Sequence, residues 1–208
     1  MRHIEFVLEE PSCEDALRVL VPRLVGERAT YQYHAHNGYP ALKKYLPSRL
    51  RAYRRRITSG EDLKVVVLID EDRAPEGCQG RKEVLETIAQ EAGLTSKTAN
   101  AGSFDIVNRI AVEELEAWYF GQPEALRQAY PGLSERVFRK RVFSDPDSVP
   151  NGTNESLLKE LKNAGYYPGI EFLPKTEVAR RVAPFMRWDQ SRSKSFRVFR
   201  EGVNATIV

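Results

Sequence analysis

Three times before Gly93 the chain sets a short apolar run ahead of an amphipathic helical stretch, and this alternation restricts its fold more than any other feature. Arg2 to Leu8 predicts a buried strand. Ser12 to Val25 follows, with Ala16, Leu17, Leu20, Val21 and Leu24 at helical spacing behind a Ser-x-x-Asp start at Ser12 and Asp15. Thr30 to Ala35 places Tyr31, Tyr33 and Ala35 in strand period, and a basic helix from Ala41 to Ile57 turns Leu42, Tyr45, Leu46, Leu50 and Tyr53 inward. Valine-rich Leu63 to Ile69 is the clearest strand, and Gln79 to Ala92 is helical until Gly93 closes it. Three successive strand–helix units imply an α/β fold with a parallel, Rossmann-type sheet flanked by helices.

The second half is less regular. Ser96 to Ile106 is expected to contain a fourth strand, and Val112 to Phe120 reads as a helix that ends at Gly121. Pro123 to Tyr130, Glu155 to Ala164 and Thr176 to Met186 predict further helices between turn-rich stretches. The expected organisation is an α/β core over residues 1–121 and a helical extension over 122–208 packed on it. At 208 residues the chain can bury a core without metal or disulfide support. Cys13 and Cys78 lack CxxC spacing, and no apolar run is long enough to span a bilayer; the expectation is a soluble, cytoplasmic protein with no membrane partner.

Charge is unevenly distributed. Residues 1–122 carry 17 basic and 19 acidic side chains, whereas residues 123–208 carry 15 and 10. Against the acidic trend, Ala41 to Ile57 holds seven basic residues and no acidic one, which makes Lys43, Lys44, Arg51, Arg54 and Arg55 candidates for a phosphate-facing surface. Arg109, beside the acidic stretch, and Arg192 and Lys194, within Ser-Arg-Ser-Lys-Ser, are further phosphate candidates. The competing reading makes Arg109 a partner of Glu113 and the serine-rich run an exposed loop or helix start.

Ligands of parallel α/β sheets bind at the carboxyl ends of the strands, and two of those ends are acidic here. The first strand runs into Glu9-Glu10-Pro11-Ser12 and the third into Asp70-Glu71-Asp72. Alternate residues of an extended segment point the same way, so Asp70 and Asp72 place two carboxylates on one side, where they repel each other unless a cation intervenes. Oxygen donors with no nearby histidine favour Mg2+ or Mn2+ over zinc. Acidic residues after strands also serve as helix caps or solvated loop residues. His34 and His36, with no third ligand in view, read as structural, and Trp118, Tyr119 and Phe120 read as core.

Phe6-Val7-Leu8-Glu9-Glu10-Pro11-Ser12 resembles the first motif of Toprim domains, an apolar strand ending in Glu, and Leu68-Ile69-Asp70-Glu71-Asp72 resembles their Asp-x-Asp motif. Nearly the whole chain resembles an uncharacterised bacterial family, a domain of unknown function beside the OLD and RloB-like Toprim proteins. The segments that carry this likeness are VLEEPS, LIDEDR, NRIAVEELEAWYFG and SRSKSF. Glu116-Ala117-Trp118 is similar to the Glu-x-Trp segment of RloB-like proteins. The resemblance implies that Glu9 is a metal ligand or general acid/base, that Asp70 and Asp72 are a metal-binding pair, and that Glu116 is a further catalytic carboxylate. Glu10, where many Toprim domains have glycine, and Glu113 are secondary acidic candidates.

Two functions follow as expectations. The first is a Mg2+- or Mn2+-dependent nuclease or related phosphoryl-transfer protein acting on nucleic acid, in a bacterial defence or repair system with an ATPase partner implied by the resemblance. The second is a non-catalytic metal- or nucleotide-binding module that regulates an ATPase complex. No Walker sequence, Rossmann glycine fingerprint, nucleophile elbow or HExxH is present.

Overall fold

The computed structural model describes residues 1–208. Strand β1 (His3–Leu8), helix α1 (Pro11–Val25), β2 (Thr30–Ala35), α2 (Tyr39–Thr58), β3 (Leu63–Asp70), α3 (Gly77–Glu91) and β4 (Ile106–Ala111) build the sheet layer in sequence order. All pairings are parallel, in the order β2-β1-β3-β4. The chain first steps from β1 to β2, then crosses back beyond β1 to β3. Right-handed crossovers in opposite directions must lie on opposite faces, which puts α1 on one side of the sheet and α2 and α3 on the other. The point where the order reverses lies between β1 and β3, and this is where Rossmann-like sheets open a crevice.

The two faces are unequal. Val7, Val65, Val67, Ile69, Ile106 and Ile110 meet Leu42, Leu46, Leu50 and Leu85 of α2 and α3 in a core of 15 buried residues. The alternate positions Ile4, Phe6, Leu8, Val66, Leu68 and Val107 belong to a core of 40. The larger core is supplied by α1 together with α4 (Glu116–Phe120), α5 (Pro123–Ala129), α6 (Glu135–Phe138), α7 (Thr153–Asn163), α8 (Lys175–Val182) and α9 (Lys194–Thr206). The C-terminal helices therefore share one continuous core with the sheet. Trp118, fully buried, packs against Phe196 and Phe199 of α9, with ring centroids 5.1 Å away in both cases. Helix α9 closes on β4 at Gly202, where an added Cβ would sit 2.9 Å from Val107 and 2.8 Å from the Arg109 guanidinium. No helix is long and apolar enough to cross a membrane, and both cysteines are free thiols.

Several local expectations are corrected. Ser12 does not cap α1: Glu10 is the N-cap residue, Pro11 opens the helix, and the Ser12 hydroxyl donates to Glu10 Oε2 at 3.1 Å. Tyr45, three residues from Leu42, falls on the flank of the buried stripe formed by Leu42, Leu46, Leu50 and Tyr53, and is 52% exposed. The fourth strand enters the stretch expected to contain it only at Ile106 and runs on to Ala111. Ser96 forms only an isolated bridge with Ile106, because the 99–104 turn, held by Asn100, separates it from the ladder. The helix expected from Val112 starts at Glu116, since Glu113 adopts a left-handed backbone (φ 62°) that no helix accommodates. Helix α9 starts at the serine-rich run, as one of the two readings of that run expects, and continues to Thr206.

Candidate functional site

Parallel pairing of β1 with β3 runs from His3 opposite Leu63 to Leu8 opposite Leu68, so the next residues of both strands emerge together at the carboxyl edge. The Asp70 amide donates to Glu9 Oε2 at 3.0 Å, fixing the Glu9 carboxylate over the end of β3. Glu9 is 3% exposed and Asp70 is 7% exposed. Asp72 follows in a left-handed conformation (φ 52°) and lies beside Glu9, within reach for the two carboxyls to share a proton. Glu71, between the two aspartates, points elsewhere and acts as a clamp. It accepts from the Cys78 amide at 2.7 Å and from the Glu113 amide at 3.1 Å, tying the start of α3 to the loop after β4.

That loop delivers Glu114 and Glu116. Glu116, at the start of α4, is completely buried, and neither of its carboxylate oxygens has a hydrogen-bond partner. The Tyr119 hydroxyl, one turn on, is also buried without a partner, and burial, with the Glu116 charge next, raises its pKa well above the usual tyrosine value. A fully buried carboxylate without a donor is costly. Burial, together with the neighbouring carboxylates, raises Glu116 to about 7 even though Lys175 pulls it down. Burial likewise lifts Glu9 to about 7, against the Asp70 amide bond and with help from Asp72 and Glu10. It also raises Asp70 well above the ordinary carboxylate range, where Glu116 and Glu9 add to the effect, and it raises Asp72.

The cation among these carboxylates is Lys175, at the first residue of α8. Its Nζ donates to Glu10 Oε2 at 3.2 Å and Oε1 at 3.3 Å, and lies 3.5 Å from Glu114 Oε1. Burial opposes its charge, but Glu116, Asp70, Glu10 and Glu114 hold its pKa above the usual lysine value. Glu114 Oε2 also accepts from the Thr153 hydroxyl at 3.0 Å and the Asn154 amide at 2.9 Å, which seats α7 on the site.

The structure thus gathers Glu9, Glu10, Asp70, Asp72 and Glu116, and adds Glu114 and Lys175, which sequence reasoning did not single out. Glu114 stands in the acidic run Glu113-Glu114-Leu115-Glu116, where nothing in the spacing marks it out as a site residue. Lys175 lies 165 residues from Glu10 in an unremarkable helix start, so no local signal marks it. Glu113 lines a small acidic pocket with Asp72 and Glu114, its carboxylate 3.3 Å from Arg73.

The cationic candidates do not enter this cluster. Lys43, Lys44, Arg51, Arg54 and Arg55 lie exposed along α2, outside every ion pair of the protein. Helix α2 begins at the site, where the Gly38 amide donates to the Glu9 carbonyl at 3.0 Å. Arg109 does not pair with Glu113: half-buried, it donates to the carbonyls of Val198 at 3.0 Å and Asn108 at 2.8 Å and lines a pocket shared with Lys82 and Lys194. Arg192 donates to the Phe120 carbonyl at 3.1 Å. Ser193 caps α9 and, with Ser195, is bound to Asp147; the Trp118 indole donates to Ser195 at 2.9 Å. The serine-rich run is therefore a helix start, with Lys194 exposed beside it. His34 is bound to Glu5 at 2.6 Å, and His36 Nδ1 lies 3.1 Å from the Leu8 carbonyl.

Hard oxygen donors, buried and short of partners, are the chemistry that binds Mg2+ or Mn2+, and the two orphaned oxygens of Glu116 fit such an ion. The side chains do not form a ready-made shell: no three His, Cys, Asp or Glu side chains are gathered closely enough to hold a metal. A cation would have to draw Glu9, Asp70 and Glu116 inward. Comparison with curated proteins finds no match, and comparison with solved structures finds none. Comparison with family models finds a match over residues 8–204, which takes in every residue of this cluster, and the chain belongs to that family, described as Domain of unknown function (DUF4276).

Proposed function

We propose that this chain is a Toprim-like, Mg2+- or Mn2+-dependent phosphoryl-transfer protein, most simply a nuclease. The observation that carries this reading is Glu116, a fully buried carboxylate with two unpartnered oxygens where the ends of β1 and β3 meet. Such a group lowers stability unless a function retains it. Glu9, Asp70 and Glu116 would hold the ion, with Asp72 beside Glu9. A divalent cation supplies the positive charge that stabilises oxyanions in phosphoryl transfer.

The chain's own residues then divide the work. Glu9, with one oxygen held by the Asp70 amide, would present the other to the ion. The unpaired cations of α2 start at the site and run from Lys44 to Arg55, about 16 Å along the helix axis, a span suited to successive phosphates of a nucleic acid. The test is incubation of the purified protein with single- and double-stranded DNA and RNA in Mg2+ or Mn2+, beside Asp70→Asn. Cleavage lost in the variant supports the reading; no cleavage by either protein, alone or with an ATPase encoded beside it, rejects it.

One observation favours a second reading, a non-catalytic metal- or nucleotide-binding module of an ATPase complex: the carboxylates are not preassembled into a metal shell. Mn2+ binding without turnover in any such complex selects it.

A further inference from the structure

A pocket of about 370 Å³ lies along the free edge of β4, between α3 and α9, and none of Glu9, Glu10, Asp70, Asp72, Glu114 or Glu116 lines it. Its size is that of a small-molecule site. The edge of β4 is open here. The Ile106 amide and carbonyl face away from β3, toward Thr95 and Lys97, so in the parallel ladder the amides of Asn108 and Ile110 also face outward, with no strand beyond them. Asn108 adds a side-chain amide that is 1% exposed and has no partner on either polar atom.

Three cations reach the pocket, and two of them have no carboxylate. Lys82 is engaged: its Nζ donates to the Asn108 carbonyl at 2.6 Å and pairs with Glu86 at 2.6 Å. Arg109 meets only backbone carbonyls, and Lys194 is exposed and outside every ion pair. The close approach of Gly202 to the Arg109 guanidinium holds that group between β4 and α9, so its position is fixed before any ligand arrives. A half-buried guanidinium without a counter-ion is unusual, because buried charge is normally paired. The aspartates of the lining do not supply the partner. Asp147 accepts from the Ser193 hydroxyl at 2.7 Å and the Ser195 amide at 2.8 Å, and Asp145 accepts from the Asp147 amide at 3.1 Å.

We infer that this pocket binds a phosphate monoester, with the phosphate on Arg109 and Lys194 and the organic body against Ile110, Val112 and Val198. A monoester phosphate carries a charge of about −1.5 to −2 at neutral pH, which matches two unpaired cations, whereas a carboxylate would offset only one. The planar guanidinium suits two phosphate oxygens at once, and the outward amides of β4 are further donors. The inference does not depend on the metal-binding reading above.

The test is calorimetric titration, without divalent ions, of phenyl phosphate, AMP, adenosine and a trinucleotide with and without a 5′-phosphate. The proteins are the wild type, Arg109→Gln, Lys194→Ala and, as a control outside the pocket, Lys159→Ala. The phosphorylated probes should bind the wild type and Lys159→Ala alike, and adenosine about tenfold or more weakly than AMP. Arg109→Gln and Lys194→Ala should each weaken binding by about tenfold, the loss of one charge-assisted bond. Tighter binding of the 5′-phosphorylated trinucleotide than of AMP assigns the phosphate to a strand end, and the reverse assigns it to a free nucleotide; both uphold the site. If Arg109→Gln does not fold, Lys194→Ala decides, together with alkylation of the wild type at Cys78, a half-buried free thiol in the lining. Phenyl phosphate at about ten times its Kd should slow that alkylation by about tenfold. No binding of any phosphorylated probe at millimolar concentration, equal binding of AMP and adenosine, wild-type affinity in Lys194→Ala, or an unprotected Cys78 overturns the inference.

Discussion

Replacing Glu116 with glutamine tests the physical core of the site without any assumption about substrate. The carboxyl is fully buried, lacks a donor on either oxygen, and is raised from 4.5 to about 7. In the unfolded chain it ionises near the lower value. Between about pH 4.5 and about pH 7 the folded state therefore binds more protons than the unfolded state, and stability falls as pH rises through that window. At about 1.4 kcal/mol per tenfold change in proton affinity, the full linkage is about 3 kcal/mol above pH 7 and nothing below pH 4.5. Glu116→Gln keeps the shape and removes the titration. Urea unfolding without divalent ions should therefore find the variant more stable than the wild type by about 2–3 kcal/mol at pH 8, and within about 0.5 kcal/mol of it at pH 4.5. On the proposed metal-binding reading, adding Mg2+ should reverse the order, because only the wild type would offer the ion all three carboxylates. A wild-type protein at pH 8 that is as stable as Glu116→Gln, or more so, in the absence of metal refutes the claim that this carboxylate is buried and uncompensated.

Three further outcomes can be checked. Glu5 is buried within β1, where bonds from His34 and Arg56 outweigh burial and lower it to about 2, so its contribution is present above pH 4.5 and is lost as pH falls toward 2. Because Arg56 is 37% exposed, Glu5→Gln should cost about 1–2 kcal/mol at pH 7 in urea unfolding, with the difference from wild type shrinking in acid. Ending the chain at Gly121 strips Phe196, Phe199 and Ser195 from Trp118, and the fragment should lose its near-ultraviolet dichroism and its cooperative unfolding; a sharp transition would show that the sheet region folds alone. Arg51, Arg54 and Arg55 make no ion pair, so reversing all three to glutamate should leave thermal stability within a few degrees; on the proposed nucleic-acid reading it should also weaken that binding and flatten its salt dependence by about three counter-ions.

What the sequence disclosed follows the range of the interactions involved. Strand and helix periodicity is local, so β1, β2, β3 and the helices between them are readable, and the carboxyl ends of β1 and β3 follow from the parallel order that such units require. Glu9, Asp70 and Asp72 are visible on those grounds. Tyr45 was misplaced because a residue at the edge of an apolar stripe has the right spacing on either side of the boundary. Glu116 could be named only through a family likeness: its complete burial depends on α4 being sealed by α9 and α7, whose contacts span scores of residues. Lys175 is the extreme case. A lysine at a helix start carries no mark of its partners, and those partners are set by where α8 lands on α1.

The placement of Lys175 also bears on why a chain with an α/β sheet keeps so large a helical region. A cluster of Glu9, Glu10, Asp70, Asp72, Glu114 and Glu116 at one sheet edge repels itself, and the sheet layer supplies little beyond the Asp70 amide to offset it. The compensation comes from outside that layer: the ammonium from α8, the hydroxyl and amide at the start of α7, and the apolar cover from α9. Each is bound to the 40-residue core on the same face of the sheet as α1. Removing the C-terminal helices would therefore expose Trp118 and release the acidic groups together, and the integrity of the site and of the fold should be lost in a single step. The helical region is in this sense the source of the site's counter-charge: one ammonium, one hydroxyl and one amide offset carboxylates that the sheet alone would leave opposed.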